Sequence, residues 1–347
     1  MRLEATGTAA RAGWHAALAA DAGAALVSQT PTWLDCVCAV GRYGDATRAY
    51  RADDGRLLVL PLARLRGVPA AFAVEASLPF GWSAGGVLSA DPVSADDVAA
   101  IVRDLAGRRA LRTAVRPSPA AHALWSAAVR EPATRTLHME QTLDLAGGFE
   151  HVWTRRFDRK VRSWQRKGER RLTVEWDDSG ALVPVFDALY RASVVRWARQ
   201  QHEPPRLALW RAARRDPARK FALVAARLGP ACRIGVAWRG GEPAAAIVVL
   251  SRGINATYWR GAMDRDVAAG TGANELLHVS AIEHACRTGR RFYHLGESAE
   301  GSSLARFKRG FGAEERHVHG YRFERWPLTP AENQLRRGVK AVVGFRG

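Results

Sequence analysis

The chain has 347 residues, too many for one comfortable core and enough for two domains of ordinary size. With 47% hydrophobic and 25% charged residues it reads as globular, which excludes a disordered or fibrous chain; no run approaches the roughly 18 apolar residues of a membrane span. The formal net charge of +18 favours anionic partners such as phosphates, nucleic acid or an acidic membrane surface, and it speaks to association, not to fold.

Only five of the 52 basic residues are lysine, so each lysine is a marked choice against an arginine background. The cysteines, Cys36, Cys38, Cys232 and Cys286, form no C-x-x-C pair. A reducing cytoplasm and no structural metal are the expectation. The Ala-rich start is broken by charge and does not resemble a signal peptide.

In chain order, residues 11–40 read as helices, with Thr30 as a cap and Pro31 in the first turn. Asp54-Gly55 turns a hairpin between two strand-like runs. Residues 78–89 form a glycine-punctuated loop. Ser94, with Asp97 three residues on, resembles a capping box opening a helix read over 94–110. A short strand at 112–118, a helix around Trp125 and a strand at 136–145 complete an α/β half. In the second half, Phe157, Val161 and Trp164 recur at helical spacing, so a basic helix buries that stripe and ends at Gly168. A strand at 171–176, a helix over 181–201 and one or two more over 206–228 follow. Residues 232–262 make a three-stranded meander with Gly240-Gly241 in its first turn. A helix over 272–289 shows one face of Leu276, Leu277, Ser280, Ala281, His284 and Ala285. A buried strand at 290–298 and a final strand at 317–326 end the series. Both halves share one coarse layout.

The stretch "YWRGAMDRDVAAGTGANELLHVSAIEHACRTGRRFYHLGES…LARFKRGFGAE" resembles the C-terminal module of the FemAB-like members of the GNAT acyltransferase superfamily. That group includes acetyltransferase-like proteins associated with bacterial cellulose and exopolysaccharide synthesis. The resemblance covers about residues 150–325 and reaches the first half only by architecture. It implies an α/β (α+β) fold of two tandem GNAT-like modules with mixed central sheets and a cleft between them: 1–147, then 148–330 carrying the motifs, then a basic tail over 331–347. It implies an acyltransferase that takes acyl-CoA, or aminoacyl-tRNA, as donor and needs no metal. The acceptor is an amine or hydroxyl on a small molecule or a cell-envelope or polysaccharide precursor.

Several residues carry the chemistry. Gly270, Thr271 and Gly272, with Asn274, stand where a strand gives way to a helix, where N–H groups can cradle a pyrophosphate or simply make a turn. Val267 replaces the basic or amide residue of the usual loop. Lys308 matches the lysine of the family's F-K-x-x-F motif, suited to a developing oxyanion; it is otherwise a surface cation. Phe307 and Phe311 should anchor their short helix and project Lys308 and Arg306 sideways. Glu297, at a strand's C-terminal end, is a candidate base or a salt-bridge partner. Arg159 and Arg162 on the basic helix, and Trp259 and Arg260 on the meander, are substrate-binding candidates. The same helix allows other readings: a solvated face, or a non-catalytic surface for tRNA or another polyanion. A catalytically dead module in a polysaccharide-synthesis complex is a third. His294 is expected to be a satisfied sheet residue, and His317 and His319 lack a third metal ligand.

Overall fold

The computed structural model describes residues 1–21, 23–130 and 133–334, so most of the expected 331–347 tail lies outside the described residues. The described residues form two compact units, Met1–His138 with 317–334, and Met139–Arg316.

In the first unit, the hairpin of Arg48–Arg51 and Leu57–Leu60 closes on Asp54-Gly55, with Gly55 at φ +87°, and joins Arg2–Thr6 and Leu88–Ser89 in a four-stranded sheet. A second ladder runs Tyr43–Asp45, Ala63–Leu65, Val74–Ala76, Arg112–Val115 and Glu314–Glu324. Its one parallel pair, Val74–Ala76 with Arg112–Val115, is bridged by the helix Ala95–Gly107. Val98, Ile101 and Leu105 of that helix share a core with Leu58, Leu60, Trp125 and Tyr321. Helix formation here is written in the cap: Ser94 Oγ accepts from Asp97 N at 3.1 Å while Asp97 Oδ2 accepts from Ser94 N at 2.9 Å.

In the second unit the strand order is Thr173–Asp177, Cys232–Arg239, Glu242–Arg252, Asn255–Met263, Phe292–Ser298 and Thr134–Asp144. All neighbours are antiparallel except Asn255–Met263 with Phe292–Ser298. Gly240 and Gly241, at φ +57° and +85°, make the two-residue turn that this hairpin's twist demands. The apolar run from Ala244 to Leu250 is buried on both faces, between Val183–Gln200 on one side and Ala273–Arg287 on the other, while Ala218–Leu228 packs on the neighbouring strand Cys232–Arg239. Residues 205–228 resolve into two helices, Pro205–Arg215 and Ala218–Leu228.

Two local expectations are corrected. The basic helix spans Arg159–Glu169, so Phe157 precedes it, and the buried stripe is Val161, Gln165 and Gly168. Gly168 does not end the helix. A Cβ there would lie 3.0 Å from Leu276 Cβ and 3.2 Å from the Gly272 carbonyl, so the glycine lets two helices touch. The helix Ala273–Arg287 buries His278, Val279 and Ile282 as well as the expected face, because the basic helix covers the side turned away from the sheet.

Candidate active site

The parallel strands of the second unit pair only at Asn255–Thr257 with Phe292–His294. Beyond that point Tyr258–Met263 follows Glu242–Arg252, and Gly296–Ser298 follows Thr134–Asp144. A register shift between His294 and Gly296, with Gly296 at φ +74°, bends the second strand there. The sheet therefore opens where the two strands part. His294 lies at the last paired position, between Thr142 Oγ1 at 3.1 Å and Asn255 Oδ1 at 2.9 Å, and burial with the Arg316 charge pushes it down to about 4.

Lys308 stands at this opening. It belongs to the helix Ser303–Gly310, begun by Ser302 Oγ accepting from Ala305 N at 3.1 Å. The helix does not project Lys308 sideways. Its inner face is Ala305, Lys308 and, one residue past its end, Phe311, and Lys308 is only 2% exposed. Phe307 is half-buried and packs against Phe311 and His278. Lys308 Nζ donates to the carbonyls of Gly296 at 3.1 Å and Glu297 at 2.8 Å. An ammonium has three N–H donors, and the third finds no protein acceptor among the described residues. Burial pushes Lys308 down to about 8, against the opposing pull of Glu140 and Glu297. His278, enclosed by Tyr258, Tyr293, Phe307 and Phe311, is held down to about 3 by burial and the Lys308 charge. Glu297 is exposed and in register with Glu140 on the neighbouring strand. The result is a buried cation of reduced proton affinity at the mouth of a splayed sheet, with two carboxylates beside it.

The glycine loop follows the C-terminal end of the other parallel strand, Asn255–Met263, and begins the crossover. Gly270 and Gly272 have φ +64° and +82°. A Cβ on Gly272 would overlap the Trp164 carbonyl, so this glycine accommodates the basic helix crossing over it. Thr271 is buried, its Oγ1 donating to Ala268 O at 2.7 Å, and Asn274 reaches the Met263 sulfur. Val267 packs against the core. The helix Ala273–Arg287 has no side-chain cap, and among the described residues the N–H groups of Ala273 and Asn274 have no acceptor. Three cations ring the loop: Arg171 donates to Gly270 O, Arg239 to Val267 O, and Lys167 Nζ lies 3.9 Å from where a Gly270 Cβ would be. The loop fits an anion at its Gly270 edge; at Gly272 the space is taken.

Other candidates are engaged elsewhere. Trp259 and Arg260 join a buried ion network in which Arg260, Lys220, Arg215 and Tyr190 all bond to Asp216. Burial alone would raise Asp216, but Arg260 and Lys220 outweigh it and hold it well below the carboxylate range, while burial pushes Lys220 down to about 7. Arg162 staples its helix to the Trp153 and Thr154 carbonyls, and exposed Arg306 bonds Gly301 O. Arg159 is exposed without a partner among the described residues.

Sequence reading passed over Gln141, fully buried, whose Nε2 donates to Ala305 O at 3.0 Å and whose Oε1 accepts from Ser298 Oγ at 2.9 Å. It ties the Lys308 helix to two strands. A single glutamine in a strand gives no sequence signal. Lys167 and Arg171 were visible as charges, and Arg239 carried no signal; only the fold places all three at the loop. No group of three or more His, Cys, Asp or Glu arranged for a metal ion occurs among the described residues.

Residues 154–309, which hold the loop, the splayed strands and Lys308, match the acetyltransferase (GNAT) domain family. No curated protein matches the chain by sequence. Among solved structures, the fold is similar to a FemX crystal structure, at 11% identity and TM-score 0.60, covering 93% of this chain and 97% of that one. It is also similar to the C-terminal domain of a putative lysylphosphatidylglycerol synthetase from Agrobacterium fabrum, at 15% identity and TM-score 0.52, covering 89% and 95%. A third is L-PGS from Bacillus licheniformis, at 14% identity and TM-score 0.52, covering 96% of both chains. These likenesses speak for the fold alone, and the domain match speaks for the chemistry: residues 154–309 of the second unit carry a GNAT acetyltransferase domain, the domain of an acyltransferase.

Proposed function

We propose that the second unit moves an acyl group from a thioester or aminoacyl ester to an amine or hydroxyl, with Lys308 as the cation that stabilises the transition state. The observation that carries this reading is the third N–H of the Lys308 ammonium, left without a protein acceptor among the described residues where the parallel strands part.

The acceptor nitrogen or oxygen attacks the donor carbonyl carbon, and the π electrons move onto the carbonyl oxygen. The Lys308 N–H donates to that oxyanion in a site of low water content, where a fixed charge acts most strongly. As the tetrahedral intermediate collapses, the C–S or C–O bond breaks and the donor leaves as thiolate or alkoxide. The acceptor's proton passes to Glu297 or to water and on to the leaving group. Lys308 holds its proton throughout, so its role is electrostatic. The anionic end of acyl-CoA is assigned to the Gly270 edge, where Lys167, Arg171 and Arg239 supply charge and the N–H groups of Ala273 and Asn274 point outward from a helix start; Gly270, Thr271, Gly272 and Asn274 are thus carried forward as the donor loop. Arg159 and Arg306, exposed at the same module, remain assigned to acceptor or donor binding. The acceptor class, a small-molecule or cell-envelope precursor in exopolysaccharide synthesis, follows from the family resemblance.

The test is donor binding by the full chain, with acetyl-CoA and with an aminoacyl-tRNA as probes. Saturable binding of one of them, weakened about tenfold or more in Lys167→Ala/Arg171→Ala, supports the assignment. Equal binding by the variant overturns the loop assignment, and no binding of either probe by the folded chain overturns the donor class.

A further inference from the structure

The helical hairpin of Val183–Gln200 and Pro205–Arg215 carries a surface to which the proposed acyl transfer assigns no role. From Ala188 to Arg215 the sequence holds seven arginines (191, 196, 199, 206, 211, 214 and 215) and one acid, Glu203. Glu203 is buried and paired with Arg211. The outward side of Pro205–Arg215 therefore shows no acid: it presents Arg206, Leu207, Trp210, Ala213 and Arg214, while Ala208 and Ala212 face inward. Trp210 is 56% exposed, Leu207 46%, and Trp197 on the preceding helix 38%. Arg214 lies over the Trp210 ring at 4.8 Å, and Arg206 has no ion pair among the described residues.

Exposing a tryptophan and a leucine on one short helix costs solvation that a soluble surface would avoid. Flanking them with Arg206 and Arg214, which have no ion pair among the described residues, gives the pattern of a helix lying in a bilayer interface, apolar side chains at the acyl boundary and guanidinium groups among the phosphates. An RNA partner would use the arginines and the indole but gains nothing from Leu207. No helix among the described residues is long and apolar enough to cross a membrane, so the contact is peripheral. We infer that the Pro205–Arg215 face, with Trp197 beside it in sequence, docks the protein on an anionic lipid surface.

Co-sedimentation of the full chain tests this with vesicles of phosphatidylcholine alone and of phosphatidylcholine with phosphatidylglycerol. Binding is expected to the mixed vesicles and not to phosphatidylcholine. Arg206→Glu/Arg214→Glu should lower affinity by roughly thirtyfold or more, at about fivefold per arginine. Leu207→Ser/Trp210→Ser, which leaves the charge intact, should lower it by about tenfold or more. Circular dichroism checks that each variant folds. Arg103→Glu/Arg130→Glu in the first unit makes the same change of net charge on another exposed surface and should bind as the parent does. Equal loss in that control overturns the inference in favour of general charge adsorption. Full binding by Leu207→Ser/Trp210→Ser overturns it, as does tighter binding of this face to a generic single-stranded RNA than to the vesicles.

Discussion

The two crossover helices of the molecule follow the same route and begin in opposite ways. In the first unit Ala95–Gly107 links a parallel pair, and in the second Ala273–Arg287 does the same. The first start is closed by its own chain: Ser94 and Asp97 satisfy each other's N–H groups, and Arg56 pairs with Asp97 at 2.8 Å. Burial raises Asp97, but the Arg56 and Ser94 bonds outweigh it and hold the carboxyl below its usual range. The second start has Gly272 in place of a capping side chain, donors without acceptors among the described residues, and Lys167, Arg171 and Arg239 around the loop. One helix end is spent on stability. The other is left with positive potential, in the unit that also holds Lys308, and this asymmetry supports the proposal that the second unit handles an anionic donor.

The largest effect expected is on chemistry in the second unit. Lys308→Met keeps the length of the side chain and removes the charge, and it should lower acyl transfer by about 10²–10³-fold, or roughly 3–4 kcal/mol of transition-state stabilisation. A rate drop matched by global unfolding would make Lys308 a strut between its helix and the Gly296 and Glu297 carbonyls. Next in size is Gly272→Ala, which places a methyl on the Trp164 carbonyl in left-handed backbone. A loss of about 2–4 kcal/mol in denaturant unfolding is expected. The Lys167→Ala/Arg171→Ala pair should weaken donor binding by about tenfold, more at low salt, with little change in the rate at saturating donor. Smallest is Ser94→Ala in the first unit, at about 1 kcal/mol of stability and no change in donor affinity. If Ser94→Ala weakened donor binding as much as the loop variants, the contrast between the two helix starts would be lost.

Much of this asymmetry is visible in the sequence, and its decisive part is not. Ser94-x-x-Asp97 and Asp54-Gly55 are short-range signals whose partners are neighbours in the chain, and both form as read. The strand Phe292–Ser298, and the helix Ser303–Gly310 with Phe307 in it and Phe311 just past its end, are also legible, because small and aromatic residues there meet local demands. The direction of Lys308 is not. Phe307 and Phe311 suggest an apolar stripe beside the lysine, yet the inner face holds Lys308 itself, since two carbonyls on a bent strand await a donor. Gly168 misleads for a related reason: an isolated glycine late in a helix reads as a stop, whereas here it is a contact with a helix about a hundred residues later. Trp259 and Arg260 attract attention by type, but Asp216, which Arg260 bonds, and Lys220, which lies over the Trp259 ring, come from a distant turn and helix, and no spacing rule links them.

The protonation of Lys308 gives the account a second, independent handle. Its proton affinity is lower folded, near 8, than the ordinary 10.5 of the unfolded chain, so the unfolded state binds more protons between these values. Folding stability contributed by this site therefore rises as pH climbs from about 8 to 10.5, while the charge needed for catalysis is lost over the lower part of that range. The most direct test is acyl-transfer rate against pH from 6 to 10, for the parent chain and for Lys308→Met, with donor saturating. A stabilising ammonium predicts a rate that falls as pH passes about 8 in the parent, and a low rate in the variant without that fall. A rate that rises through 8, or a parent-like profile in Lys308→Met, would contradict it.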